Sequence, residues 1–341
     1  MIKIAVIGAG HWGPNLIRNF NNGHSSSVAR VIDRDPKRLA LVHQRFTNIQ
    51  TSDNPSDALD DPEIDAVVIA TPTSTHYELV KAALNAGKHV LVEKPIAHDV
   101  RSSDELVKIA DSAGLTLMVG HVFLFNGAVQ EAARLINNGE IGKIFHISMV
   151  RTNLGPIRLD VDASWDLAAH DISVANYLLN SLPLSASAVG GDWINKGVAD
   201  AVFATLRYPN DVLVNLHVSW LNPRKVRDIT IVGEQLMLTI DDMNLNEPIR
   251  IYDKGIKDDL STPGWADSFG SFRSSIREGN ITIPRVALGE PLLAECDHFI
   301  ECVSKNLRPL ASGTVGADVV RTLTAITESM SLNGAEVKVN S

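Results

Sequence analysis

Cysteine is almost missing from this 341-residue sequence, with Cys296 and Cys302 the only two. So few thiols exclude a disulfide framework. A spacing of six on a helix does not put both on one face, so they read as reduced core or surface thiols. Long hydrophobic runs are also missing. Nowhere do about 18 apolar residues follow one another, and MIKIAVIGAG lacks a charged region leading into a long apolar stretch, which points to a protein of the cytoplasm. Basic charge is not in excess. The formal net charge of -9 argues against a nucleic-acid or anionic-membrane partner, both of which need clustered Lys and Arg, but leaves room for a local basic pocket. The 11 histidines are scattered with no H-E-x-x-H and no paired-Cys spacing, so no metal site is expected. No G-x-S-x-G elbow occurs, which leaves nucleophilic hydrolysis with little support. Internal repeats and low-complexity tracts are absent.

What remains is ordinary globular composition, 45% hydrophobic and 21% charged, in a chain long enough for two domains. The first third alternates short β-branched runs with helical stretches: IKIAVIG, a helix from Trp12, VARVID, a helix from Pro36, AVVIATP, a helix over Ser74 to Asn85, HVLVEKP, a helix over Ser102 to Ala113, and LTLMVGH. Continuous apolar runs such as Ala66 to Ala70 suit a parallel sheet covered by helices on both faces. After His121 the period changes. Helices around 127–138 and 164–180 give way to long alternating strands. In DVLVNLHVSW, Val212, Val214, Leu216, Val218 and Trp220 share one face and Asn215, His217 and Ser219 the other, a half-buried antiparallel strand. Pro209-Asn210-Asp211 before it reads as a hairpin turn. Residues 255–285 read as an irregular loop over the site, and helices over Leu292 to Val303 and Ala317 to Met330 close the chain. The expected fold class is α/β: a doubly wound Rossmann domain over 1–121, and a domain with a large, mostly antiparallel open sheet over 122–341, whose last helices pack back on the first.

Gly8, Gly10 and Gly13 form G-x-G-x-x-G between a strand and a helix, the setting that gives the motif meaning. The first glycine permits a tight turn, the second lets backbone approach a pyrophosphate, and the third lets helix pack on strand. His11 and Trp12 lie inside the loop, and the helix N-terminus offers free N–H groups to phosphate. Asp33, twenty positions after Gly13, ends the second strand, where its carboxylate accepts from ribose hydroxyls and repels a 2′-phosphate. That favours NAD over NADP. Arg34 stacks on adenine or answers a 2′-phosphate.

ATPTSTH (70–76) and EKP (93–95) end the next two strands, on the edge where open α/β sheets bind ligands. Ala70, Thr71, Pro72, His76, Glu93, Lys94 and Pro95 are therefore cofactor-side candidates, and Lys94 also reaches toward the substrate. Position alone leaves a solvated surface lysine equally open. GAGHWGPN, ATPTSTH, AGKHVLVEKP and GHVFLFN, in this order, resemble the glucose-fructose oxidoreductase/inositol dehydrogenase/rhizopine-catabolism (Gfo/Idh/MocA) family. The resemblance covers the N-terminal domain nearly end to end. It implies a Rossmann domain joined to a C-terminal α/β domain whose sheet often forms a subunit interface, hence a homodimer or homotetramer. It also implies an active site made of the EKP lysine with an Asp and a His from a helix of the second domain.

ASWDLAAHDISVANYLL supplies that pair as Asp166 and His170, four apart and so on one face of a helix. An isolated D-x-x-x-H is more often a surface ion pair or a satisfied histidine. With the family motifs upstream, Lys94, His170 and Asp166 become the catalytic candidates. GHWGPNLIRNF and RTNLGPIRLDVDASWDLAAHDI further resemble the branch of the family acting on the 3-hydroxyl of UDP-linked N-acetylhexosamines or their uronic acids. That resemblance makes Asn153, Arg158 and Asp160, with Asn126 of GHVFLFN, substrate-side candidates. A loop pinned by Arg158 pairing with Asp160 is the plainer alternative. Family members also oxidise free cyclitols and aldoses or reduce ketones, and a cofactor sensor without catalysis is the reading from another class.

Overall fold

Short runs of β-branched residues become strands when both faces are covered, and six of them open the chain. The computed structural model describes residues 1–23, 25–158, 161–256, 276–287 and 289–339. Strands β1 (Ile2–Ile7), β2 (Ser26–Ile32), β3 (Gln50–Ser52), β4 (Ala66–Ile69), β5 (His89–Glu93) and β6 (Leu117–Gly120) form a parallel sheet in the order β3-β2-β1-β4-β5-β6. Helices α1 (Gly13–Asn22), α2 (Pro36–Arg45), α3 (Ser56–Leu59), α4 (His76–Asn85) and α5 (Val100–Ala113) connect them. All four residues of β4 are fully buried. Strand order reverses between β1 and β4, the switch point outside which doubly wound sheets bind ligands. Asp35 accepts from the Lys37 amide and Asp99 from the Ser102 amide, so these carboxylates start α2 and α5. The Asp99 cap explains why α5 begins before the expected Ser102.

Two compact units emerge: Met1–Phe125 with Gly289–Thr324, and Asn126–Leu288 with Ala325–Asn340. The first unit thus runs to Phe125 and takes in Gly289–Thr324 near the end of the chain. There the helix Pro291–Lys305 sets Phe299 edge-on to Phe20 at 6.2 Å, and the Asn19 amide donates to Glu290 at 3.1 Å. Cys296 and Cys302 on this helix are both free and buried. The next helix, Gly313–Ser331, starts against β6. A Cβ on Gly316 would sit 2.5 Å from Val119 Cγ2, so only glycine allows the approach.

In the second unit, β7 (Ile144–Leu154), β8 (Ser185–Gly191), β9 (Ala201–Arg207), β10 (Leu213–Ser219), β11 (Leu221–Gly233), β12 (Met237–Asp241) and β13 (Ile249–Tyr252) join two short edge strands, Ile281–Thr282 and Val337–Lys338. The nine-stranded order is Ile281–Thr282, β13, β12, β11, β7, β10, β9, β8, Val337–Lys338. The β9–β10 hairpin turns where expected, with Asn210 and Asp211 at φ 61° and 62°. β10 is antiparallel to β9 but parallel to β7, which corrects a purely antiparallel reading of that strand. Of its second face, Ser219 is buried rather than wet. Most of the expected loop at 255–285 lies outside the described residues, and Ile281–Thr282 within it is a strand. Helices α6 (Gly127–Asn137) and α7 (Ala169–Leu179) belong to this unit. Among the described residues no helix is long and apolar enough to cross a membrane.

Arg151 of β7 and Asp171 of α7 are both buried, and the Arg151 Nε and Nη2 groups donate to Asp171 Oδ1 at 2.9 and 2.7 Å. Removing one partner strands the other charge, a loss of about 3–5 kcal/mol. Arg151→Ala is expected to lower the unfolding free energy measured by urea denaturation by that amount, and an unchanged value would mean the pair contributes no net stability.

Candidate active site

The nucleotide-facing edge is built by backbone before any side chain takes part. Gly8 has φ +103°, and a Cβ there would lie 2.5 Å from the Ala70 carbonyl oxygen. A Cβ on Gly13 would lie 2.0 Å from the Gly8 carbonyl oxygen, so α1 starts hard against the turn. Gly10 is different. Its Cβ direction meets only the Arg38 guanidinium at 3.5 Å, which leaves the middle of the loop approachable. α1 begins at Trp12 with no side-chain cap, so its first N–H groups are not taken by a capping residue. His11 and Trp12 are exposed on the loop.

Asp33 is buried, and its carboxylate accepts from the Ala9 amide at 2.7 Å and the Asp35 amide at 2.8 Å. Its job in the fold is to hold the glycine loop to the end of β2. The cation beside it is Arg38, with Nη1 3.5 Å from Asp33 Oδ2, while Arg34 is exposed. Arg38 lies one helical turn further on, and a search for a neighbour in sequence passes over it.

At the next strand ends, Thr75 Oγ1 donates to Thr71 Oγ1 at 2.7 Å while Pro72 is exposed. His76, a cofactor-side candidate, spans two backbone carbonyls, those of Pro95 at 2.8 Å and Thr71 at 2.9 Å. The Lys94–Pro95 bond is cis. Burial pushes the Glu93 carboxyl up to about 7, against the opposing pull of Lys94 and of the Trp12 side-chain hydrogen bond. His121, fully buried, is pushed down to about 3 by burial and then by Lys94. Glu295 is also fully buried, and both its carboxyl oxygens lack a hydrogen-bond partner among the described residues. Burial first, and the charge of Glu93 second, raise it well above the carboxylate range. The sequence reading missed Glu295. The signal was a charged residue on the buried stripe of Leu292, Cys296 and Phe299.

The second unit carries the other expected residues. Asp162 Oδ1 accepts from the Ser164 and Trp165 amides at 2.9 and 3.0 Å and so starts a π-helical turn, Ser164–Ala168, that runs into α7. Asp166 sits in that turn and His170 in the first turn of α7, so the stretch between them is not the plain α-helix expected. Single wide turns of this kind recur at functional sites. Both Asp166 oxygens are engaged, Oδ1 by Arg158 Nη1 at 3.1 Å and Oδ2 by the buried Trp220 Nε1 at 3.2 Å. Arg158 therefore pairs with Asp166, and Asp160 lies outside the described residues. Gly155 donates to the Trp220 carbonyl at 2.9 Å, and the Asn153 amide donates to the Gly155 carbonyl, which fixes the loop bearing Arg158. Asn126 is drawn elsewhere. Its carbonyl caps α6 through the Ala128 and Val129 amides at 2.9 and 3.3 Å, and its amide donates to Asp242 at 2.8 Å. Those three bonds account for the residue structurally.

Residues 2–121 match the oxidoreductase family model with an NAD-binding Rossmann fold, and residues 129–239 match the Gfo/Idh/MocA C-terminal domain. The chain is 27% identical to a UDP-N-acetylglucosamine 3-dehydrogenase of Acidithiobacillus ferrooxidans, over 94% of each chain. The solved structure of the enzyme of that name from the same species superposes with a TM-score of 0.82 at 25% identity, covering 97% of this chain and 98% of the other. A scyllo-inositol 2-dehydrogenase (NAD(+)) of Bacillus subtilis is 31% identical over 55% of this chain and 57% of its own.

Glu93 gives this edge a pH signature. With its carboxyl lifted from 4.5 to about 7, the folded chain keeps a proton that the unfolded chain has already released in that window. Stability therefore falls as pH rises through the window and stays lower above it. Glu93→Gln is expected to flatten the thermal midpoint between about pH 5 and 8. Parallel profiles for the two proteins would refute the assignment.

Proposed function

Since the chain belongs to the Gfo/Idh/MocA oxidoreductase family, we propose that it is an NAD-dependent dehydrogenase of the 3-hydroxyl of a UDP-linked N-acetylhexosamine or its uronic acid, serving surface-polysaccharide or lipid A precursor synthesis. The observation carrying the substrate is the end-to-end likeness to the Acidithiobacillus 3-dehydrogenase, which the shorter inositol dehydrogenase match lacks.

The residues fit a dinucleotide. An uncapped helix start, an approachable Gly10 backbone and a carboxylate at the end of β2 are what pyrophosphate and ribose require. Asp33 favours NAD by repelling a 2′-phosphate, with Arg38 as the cation on the adenosine side. The bound nicotinamide supplies the hydride acceptor. His170 takes the hydroxyl proton on its imidazole, and Asp166, held by Arg158 and Trp220, keeps a carboxylate in the turn that leads into α7. Lys94 donates through Nζ to the substrate oxygen and stabilises charge developing there. Asn153 and Arg158 carry sugar or diphosphate recognition, a guanidinium being suited to bidentate phosphate contact. Retention of both Lys94 and His170 weighs against a non-catalytic cofactor sensor.

Mixed with NAD and separately with UDP-N-acetylglucosamine, its uronic acid, myo-inositol and glucose, the protein is expected to form NADH with a UDP sugar. Lys94→Ala and His170→Ala are each expected to lower turnover by at least about 100-fold with NAD binding nearly intact. NADH from inositol or glucose alone would move the substrate to the alternative reading, and undiminished turnover in either variant would overturn the catalytic roles.

Self-association through the large sheet is part of the same proposal. Val189 and Phe203 stand about half exposed on neighbouring strands, and the His217 ring stacks on Phe203 at 4.5 Å. Light scattering is expected to give a dimer or tetramer that Phe203→Asp shifts toward monomer, and a wild-type monomer would exclude it.

A further inference from the structure

His76 sets each of its two ring nitrogens against a backbone carbonyl of the first unit, and the chemistry of those two contacts constrains its proton count. Nδ1 lies 2.8 Å from the Pro95 carbonyl oxygen and Nε2 lies 2.9 Å from the Thr71 carbonyl oxygen. The side chain is 1% exposed, so solvent does not share either contact. A carbonyl oxygen only accepts. A neutral imidazole has one N–H and one bare nitrogen, which would set a lone pair against a lone pair at one of these distances. Only a ring protonated at both nitrogens makes both contacts hydrogen bonds.

The place of the two carbonyls gives this proton a purpose. The β4–β5 ladder has its last pair at Ile69 and Val92. Thr71 is two residues beyond the end of β4 and Pro95 two beyond the end of β5, where the chains leave the sheet and no ladder holds them together. We propose that His76 is a positioning residue that works as an imidazolium, tying the loop after β4 to the turn after β5 and thereby fixing where Lys94 stands. The ring continues the ladder past the edge of the sheet, one N–H to each loop. The site favours an anion more than a cation, because His76 opens α4 and a helix start is electropositive. The two carbonyl dipoles are what hold the charge there. The consequence for binding rests on the dinucleotide reading above, whereas the proton count does not.

The test uses the full chain with nitrogen-labelled histidine. At neutral pH the ring signals absent from His76→Gln are expected to show protons on both nitrogens. One protonated and one bare nitrogen would overturn the proposal. Fluorescence titration with NADH gives the second arm. His76→Ala is expected to weaken NADH by at least about tenfold, with His76→Gln, which can keep one tie, falling between. Unchanged NADH affinity in a folded His76→Ala would overturn the positioning role. A wild-type protein that fails to bind NADH would instead overturn the dinucleotide reading, and the ring signals would still decide the tie.

Discussion

Three pieces of backbone converge on Gly8, and the architecture of the nucleotide-facing edge depends on their being able to do so. The end of β1, the Ala70 carbonyl after β4 and the start of α1 come so close that neither Gly8 nor Gly13 has room for a methyl group. That contact aims the uncapped end of α1 across the top of the sheet. It also leaves the Ala9 amide turned toward Asp33, whose carboxylate closes the loop from the β2 side. Asp33 is thus a structural acceptor that ties the glycine loop to the end of β2.

Features whose cause is local in sequence were legible. The order of strands and helices, the glycine loop, Asp33 and the β9–β10 hairpin follow from period, turn chemistry and spacing. Features made by tertiary packing were not. Arg38 reaches Asp33 from within α2, Trp220 reaches Asp166 across 54 positions, and Glu295 arrives at the first unit from the far end of the chain. Asn126 and His76 were recognised as special residues, but the demand they answer is for backbone partners, a cap in one case and two carbonyls in the other. Sequence motifs mark a residue's importance more reliably than the group it touches.

Charge is handled differently in the two units. The second pairs Arg151 with Asp171 in its interior and Arg158 with Asp166 at half-buried positions. The first sets Glu93 and His121 in the field of Lys94 and Glu295 in that of Glu93, and burial pushes the two acids up and the histidine down, all toward their uncharged forms.

The return of the chain to its first unit also governs the order in which that unit is completed. β6 is the last strand of its sheet, and its outer side is occupied by the segment around Ala311 and Ser312, with the Val119 amide donating to the Ala311 carbonyl at 2.8 Å. During synthesis β1 to β6 leave the ribosome well before that segment exists. Through that interval the sheet carries a bare, hydrophobic edge, the kind that recruits strands from other chains. Residues 126–288, the larger part of the second unit, must be translated before that edge of the first can be covered.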